Sequence, residues 1–186
     1  MPIPLESLLQ SGPGFDAPVE MLQACHDRIE GQCDTLLRLL PHLAANGADS
    51  QAREAAAAVL RYFDTAGENH HQDEEVDLFP ALRAHAGARL PEVEALLAVL
   101  LADHQRMRDA WMQQVRPALQ AITRGEAALS PAGTQAFVDL YRQHIDRENS
   151  ELLPLAQAVL GPAVQVELGR HMAARRHVPA NVTVKA

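Results

Sequence analysis

The chain has 186 residues and is 47% hydrophobic, enough for one globular domain with a sizeable core and short of what two ordinary domains need. Its formal net charge of -8, with His counted neutral, excludes the clustered positive surface that non-specific attraction to nucleic acid or anionic membrane requires; Arg175, Arg176 and Lys185 make only a small basic tail. Aromatic residues are 4% while Ala and Leu dominate, which favours helices over strands. The first residues carry no basic and then apolar leader, and the longest apolar run, Ala95 to Ala102, is far too short to span a bilayer, so a cytoplasmic protein is expected. Cys25 and Cys33 lie in one helical stretch, roughly 12 Å apart along its axis, too far for a disulfide, and read as free thiols.

Breaks and periodicity predict four long amphipathic helices and a shorter fifth. The first starts near Pro18, with Asp16 as its cap, and runs to about Pro41–Ala45, where the loop NGADS follows. The second runs from about Gln51 to His85 and is bent by Pro80. The third opens at Pro91-Glu92 and reaches about Arg124, with a kink at Pro117; Ser130-Pro131 opens the fourth, which ends before Gly161-Pro162. A last helix then reaches about Arg176. The expected organisation is an N-terminal extension over 1–17, an all-α antiparallel up-down-up-down four-helix bundle over 18–160, and a short C-terminal fifth helix and tail over 161–186.

The interior stripes of these helices carry imidazoles and carboxylates where a purely structural bundle would carry Leu. The first stripe reads Val19, Leu22, His26, Ile29, Cys33 and Leu36. The second reads Val59, Phe63, Ala66, His70, Glu74, Leu78 and Leu82; the third Leu97, Leu100, His104, Met107 and Trp111; the fourth Phe137, Tyr141, His144, Glu148, Leu152 and Leu155. Helices two and four share a pattern, since HHQDEEVDLFP (His70 to Pro80) and HIDRENSELLP (His144 to Pro154) both read H-x-x-x-E with Pro six residues later. A spacing of four places His and Glu one turn apart on one face. The neighbouring pair His71 and Glu75 has the same spacing, but stepping back from His71 meets Gly67, Glu68 and Asp64, whereas stepping back from His70 meets Ala66, Phe63 and Val59. The apolar track selects His70/Glu74 and leaves His71 as a supporting or substitute ligand. His42, His85, His171 and His177 fall at helix ends or in the tail and read as surface residues.

A bundle core cannot cheaply hold two carboxylates and four imidazoles unpaired, because each uncompensated buried charge costs several kcal/mol. Cations remove that cost. Nitrogen and carboxylate ligands suit iron, manganese or zinc, and two carboxylates in a His-rich pocket suit a dinuclear site; two iron ions are the preferred reading. A ferritin-like alternative needs Glu-x-x-His on two helices; Glu68 to His71 gives one, but Tyr141 stands three before His144.

His26-Asp27-Arg28-Ile29, the run HHQDEEVDLFPAL from His70, Asp103-His104 and the segment His144 to Pro154 together resemble the hemerythrin-like family, the HHE cation-binding domains, over roughly Val19 to Leu160. That resemblance implies an up-down-up-down bundle with a non-haem di-iron centre held by His26, His70, Glu74, His104, His144 and Glu148, with Glu74 and Glu148 bridging. The third helix departs from oxygen-carrying hemerythrins, which place two histidines four residues apart; here Leu100 and Arg108 flank His104 at that spacing. The expected function is therefore binding of O2, NO or peroxide at an open iron position, for sensing, storage or redox protection. The competing expectations are an enzyme of nitric oxide or peroxide reduction, a donor of iron for iron–sulfur cluster repair, and a metal-stabilised module that meets a protein partner through Arg170, Arg175 and Arg176.

Overall fold

The computed structural model describes residues 13–126 and 129–178; the first twelve residues of the predicted extension, and Lys185 in the tail, lie outside the described residues. Helix α1 is Pro18–Asn46. Helix α2 is continuous over 50–85, α3 over 90–123 and α4 over 131–159, and α5 is Pro162–Arg175. The first four form the antiparallel up-down-up-down bundle, α1 packing on α2 and α4, and α3 on α2 and α4. No strand occurs among the described residues.

Local chemistry sets the helix ends. Asp49 caps α2 by accepting from the Ala52 N–H at 2.8 Å, and Ser130 caps α4 by accepting from the Gly133 N–H. Asp16 does not cap α1: the cap position is Ala17, without a side-chain hydrogen bond, and Pro18 starts the helix with its ready-set φ.

The expected bends at Pro80 and Pro117 take a specific form. An interior proline lacks an N–H, and its ring collides with the carbonyl four residues earlier. In α2, α3 and α4 that earlier residue lies inside a widened π-helical turn: Asp73–Leu78 before Pro80, Trp111–Val115 before Pro117, and Glu148–Leu152 before Pro154. The helix runs on through each turn instead of breaking. The proline six residues beyond each Glu thus accompanies the irregular turn that presents that Glu. A fourth π-helical turn, Phe63–Gly67, precedes His70.

Two apolar slabs fill the bundle. One contains Ile29, Cys33, Leu36, Phe63, Met107, Trp111, Phe137 and Tyr141; the other contains Leu22, Leu78, Phe79, Leu82, Leu97, Leu100, Leu152 and Leu155. Between them lies a layer of buried histidines and glutamates. Helix α5 rests on α1 and on the Asp73–Leu78 turn. Gly169 permits that seat, since a Cβ there would meet the Phe15 carbonyl oxygen at 1.8 Å.

Candidate metal centre

The side chains of His26, His70, Glu74, His104, His144 and Glu148 converge in the middle of the bundle, each no more than 1% exposed. They form two overlapping groups, His26, His70, Glu74 and Glu148 on one side and Glu74, His104, His144 and Glu148 on the other, and the donor atoms of each group lie within 4.8 Å of one another. Both glutamates belong to both groups. Each group can hold one cation, so the arrangement has the form of a dinuclear site with two shared carboxylates.

The short distances inside the layer are not those of a satisfied polar network. His26 Nε2 lies 3.0 Å from Glu148 Oε2, His144 Nε2 3.0 Å from Glu148 Oε1, and His70 Nε2 and His104 Nε2 each 3.4 Å from Glu74. His104 and His144 turn their Nε2 atoms toward each other at 3.0 Å. Yet both oxygens of Glu74 and of Glu148, both nitrogens of His70, His26 Nε2 and His144 Nδ1 have no aligned hydrogen-bond partner among the described residues. Orphaned buried donors and acceptors are costly, and this many at one point indicates cations that accept lone pairs from the carboxylates and from one nitrogen of each imidazole. The residues present therefore fit a metal pair.

Titration behaviour agrees. Burial, reinforced by the nearby Glu148, pushes the Glu74 carboxyl well above the usual range. Burial would raise Glu148 too, but His144, His104 and His26 around it hold it well below. Burial and the neighbouring imidazoles push His70 and His71 far down, so both rings are neutral and their lone pairs available. Without a cation the two carboxylates cannot both carry charge comfortably.

Around the layer stand residues that the sequence reading did not single out as partners. Asn149 Oδ1 sits 2.7 Å from His26 Nδ1, and Glu75 Oε1 sits 2.7 Å from His104 Nδ1. Each is the residue immediately after a shared glutamate, an equivalence readable in the twin motif once the ligand register is set. Arg108, which replaces the missing histidine at one offset, donates to Glu75 at 2.7 Å, while Leu100 at the other fills the apolar slab. The hydrogen bond from His104, backed by Arg108, holds Glu75 down to about 2. Asp103, 2% exposed, lies 3.6 Å from His144 Nδ1 and accepts from Arg147 at 2.7 Å and from Arg106. Hydrogen-bonded outer partners such as Asn149 and Glu75 orient an imidazole, and a carboxylate among them raises its basicity.

Several peripheral expectations change. His71 is buried, belongs to neither donor group, and stacks on His104 with ring centroids 4.2 Å apart. Arg175 and Arg176 do not offer a basic face to a partner: both pair with the fully buried Asp73, beside Glu74, and Arg175 also reaches Asp77 at 2.6 Å. Cys25 and Cys33 are buried free thiols, and Trp111 is a core residue whose indole N–H donates to Asp64. His85, His171 and His177 are exposed, while His42 is half-buried and bonded to Asp49. No helix among the described residues is long and apolar enough to cross a membrane.

A four-helix bundle with a buried His/Glu layer between apolar slabs defines a metal-binding helical protein. The family profile of the hemerythrin HHE cation-binding domain matches residues 17–156, and the chain belongs to that family. A protein of Haemophilus influenzae, described as uncharacterized, is 28% identical over 164 residues, covering 88% of this chain and 92% of the relative.

Proposed function

We propose that His26, His70, Glu74 and Glu148 hold one iron ion, that Glu74, His104, His144 and Glu148 hold a second, and that the centre binds O2, NO or peroxide in sensing, storage or redox protection. The observation that carries this reading is the pair of buried glutamates, each shared by two groups of donors and neither satisfied by hydrogen bonds among the described residues. Two histidines and two shared carboxylates at each ion, four histidines in all, do not saturate two six-coordinate ions, which leaves room for an exogenous ligand. The bound irons would supply redox and Lewis-acid chemistry. The protein's part is to orient His104 through Glu75 and His26 through Asn149, to set the Asp103 carboxylate beside His144, to keep His70 neutral by burial, and to exclude bulk water with the apolar slabs on either side.

Metal analysis of protein purified without a tag tests the first half: two transition ions per chain are expected, and a His70→Ala/His144→Ala variant should lose them. Retention of both ions by that variant would remove the assignment. The absorption spectrum of the oxidised protein tests the metal's identity, since an oxo-bridged di-ferric site absorbs in the near ultraviolet and a zinc site does not. The open coordination also suits a second reading, an enzyme reducing nitric oxide or peroxide. Stopped-flow spectra separate the two: a stable reversible adduct supports a binder, and rapid reoxidation with turnover supports the enzyme.

A further inference from the structure

One cavity has chemistry that the metal centre does not use. It lies between α2, α3 and α4 and is lined by Phe63, Gly67, Glu68, His71, Arg108, Trp111 and Tyr141. Its walls run from exposed Glu68 and half-buried Arg108 at the surface to His71 and Tyr141, each 4% exposed, at the inner end. Two of the π-helical turns, Phe63–Gly67 and Trp111–Val115, contribute to its walls. Gly67 keeps it open, since a Cβ there would already lie 3.3 Å from the Phe63 ring.

The inner wall is also the outer wall of the metal layer. The His71 ring stacks on His104 at 4.2 Å and lies 6.4 Å from the His144 ring, centroid to centroid. The Tyr141 ring lies 6.1 Å from His71, nearly parallel to it. Among the described residues neither the His71 ring nor the Tyr141 hydroxyl has a hydrogen-bond partner. They are not among the fully enclosed orphans either, so these polar atoms keep a little exposure, and both residues line the cavity. Two buried side chains with donors left free, at the end of a cavity, call for a guest that accepts hydrogen bonds. The volume, about 20 Å³, takes one or two water-sized groups, so a small linear ligand can enter end-on on its way to the centre and an organic substrate is excluded.

We propose that this cavity is the antechamber of the metal centre on its His104/His144 side, and that His71 and Tyr141 hydrogen-bond a ligand of two or three heavy atoms, such as peroxide or a small linear anion, as it enters and binds. The proposal rests on the dinuclear reading above and assigns His71 a ligand-positioning role in place of a metal-ligating one.

Azide is the probe, followed by absorption on the iron-loaded full chain, with metal content measured for every variant. His71→Leu and Tyr141→Phe should each keep two ions and weaken azide binding by about tenfold, the scale of one lost hydrogen bond to a charged acceptor. Gly67→Val, which narrows the passage without removing a polar group, should slow azide association and dissociation by the same factor and leave the equilibrium unchanged, because a barrier on a path affects both directions equally. Unaltered azide affinity in both polar variants with both ions in place would overturn the antechamber while leaving the dinuclear reading standing. Loss of an ion in His71→Leu would also overturn it, making His71 a ligand. A wild-type chain that takes up no transition ions would instead overturn the dinuclear reading, and the antechamber with it.

Discussion

The two sides of the buried His/Glu layer are built from the same parts and supported differently. On the α1/α2 side, His26 is held by a neutral amide, Asn149, and His70 Nδ1 has no partner among the described residues. On the α3/α4 side, His104 is held by the carboxylate of Glu75, which Arg108 fixes in turn; His144 Nδ1, like His70 Nδ1, has no aligned hydrogen-bond partner among the described residues, but it lies 3.6 Å from the buried carboxylate of Asp103, which Arg147 and Arg106 anchor. A carboxylate behind an imidazole makes it a stronger donor and fixes its tautomer, whereas an amide mainly orients it. The lesson is that near-identical H-x-x-x-E motifs do not make equivalent positions. The ion between His104 and His144 should be bound more tightly, and the one between His26 and His70 should be the exchangeable one.

The largest expected effect removes the comparison altogether. Glu148→Ala takes a donor from both groups at once and should weaken both ions by more than about a hundredfold, read by metal analysis after equilibration with a chelator. Full retention of one ion would show that the carboxylate is not shared.

Chelator titration of the wild-type protein should release metal in two steps, the His26/His70 ion first. Glu75→Gln, which leaves the amide-type support already present on the other side, should narrow the gap by about tenfold to a hundredfold. A single step in the wild type would contradict the asymmetry. The same variant has a signature in the metal-free chain. Glu75 is held down to about 2 from its ordinary value of 4.5, so its contribution to stability is fully present above pH 4.5 and disappears as the pH falls toward 2. Melting curves of the wild type should therefore lose stability over that interval more steeply than those of Glu75→Gln.

Asp73→Asn acts on both sides together. It takes from Arg175 and Arg176 the fully buried negative charge, and one of its two acceptor oxygens, next to Glu74 and should cost about 1–3 kcal/mol in chemical unfolding. Because the turn it secures carries a shared glutamate, both chelation steps should move in the same direction. The smallest effect serves as a control: Asp49→Ala removes the cap of α2 at the far end of the bundle, lowers the melting temperature, and should leave both chelation steps where they were.

The fold and the inner ring of the candidate site were legible because both rest on local periodicity. A His and a Glu four residues apart share a helix face whatever the helix packs against, and an apolar track on the same face says that the face is inward. That reasoning separated His70 from His71 and brought six side chains to one layer. It read less well where the helix backbone departs from regularity. The bends expected at Pro80 and Pro117 are π-helical turns, and the cap expected at Asp16 falls on Ala17. The polar run His70 to Glu75 also hid three buried groups, since Asp73, His71 and half-buried Glu75 look like solvated surface until a neighbouring helix covers them.

What the sequence by itself determined is an all-helical bundle of the hemerythrin HHE kind, with imidazoles and carboxylates pointing inward. Only the tertiary structure decided which outer groups meet which imidazoles, that Arg175 and Arg176 face inward onto Asp73, and that His71 ends a cavity. The physical reason is one of range. Side-chain direction along a helix follows from a fixed rotation per residue, but the pairing of Asn149 with His26, Glu75 with His104 and Arg176 with Asp73 depends on how separate helices are set against one another.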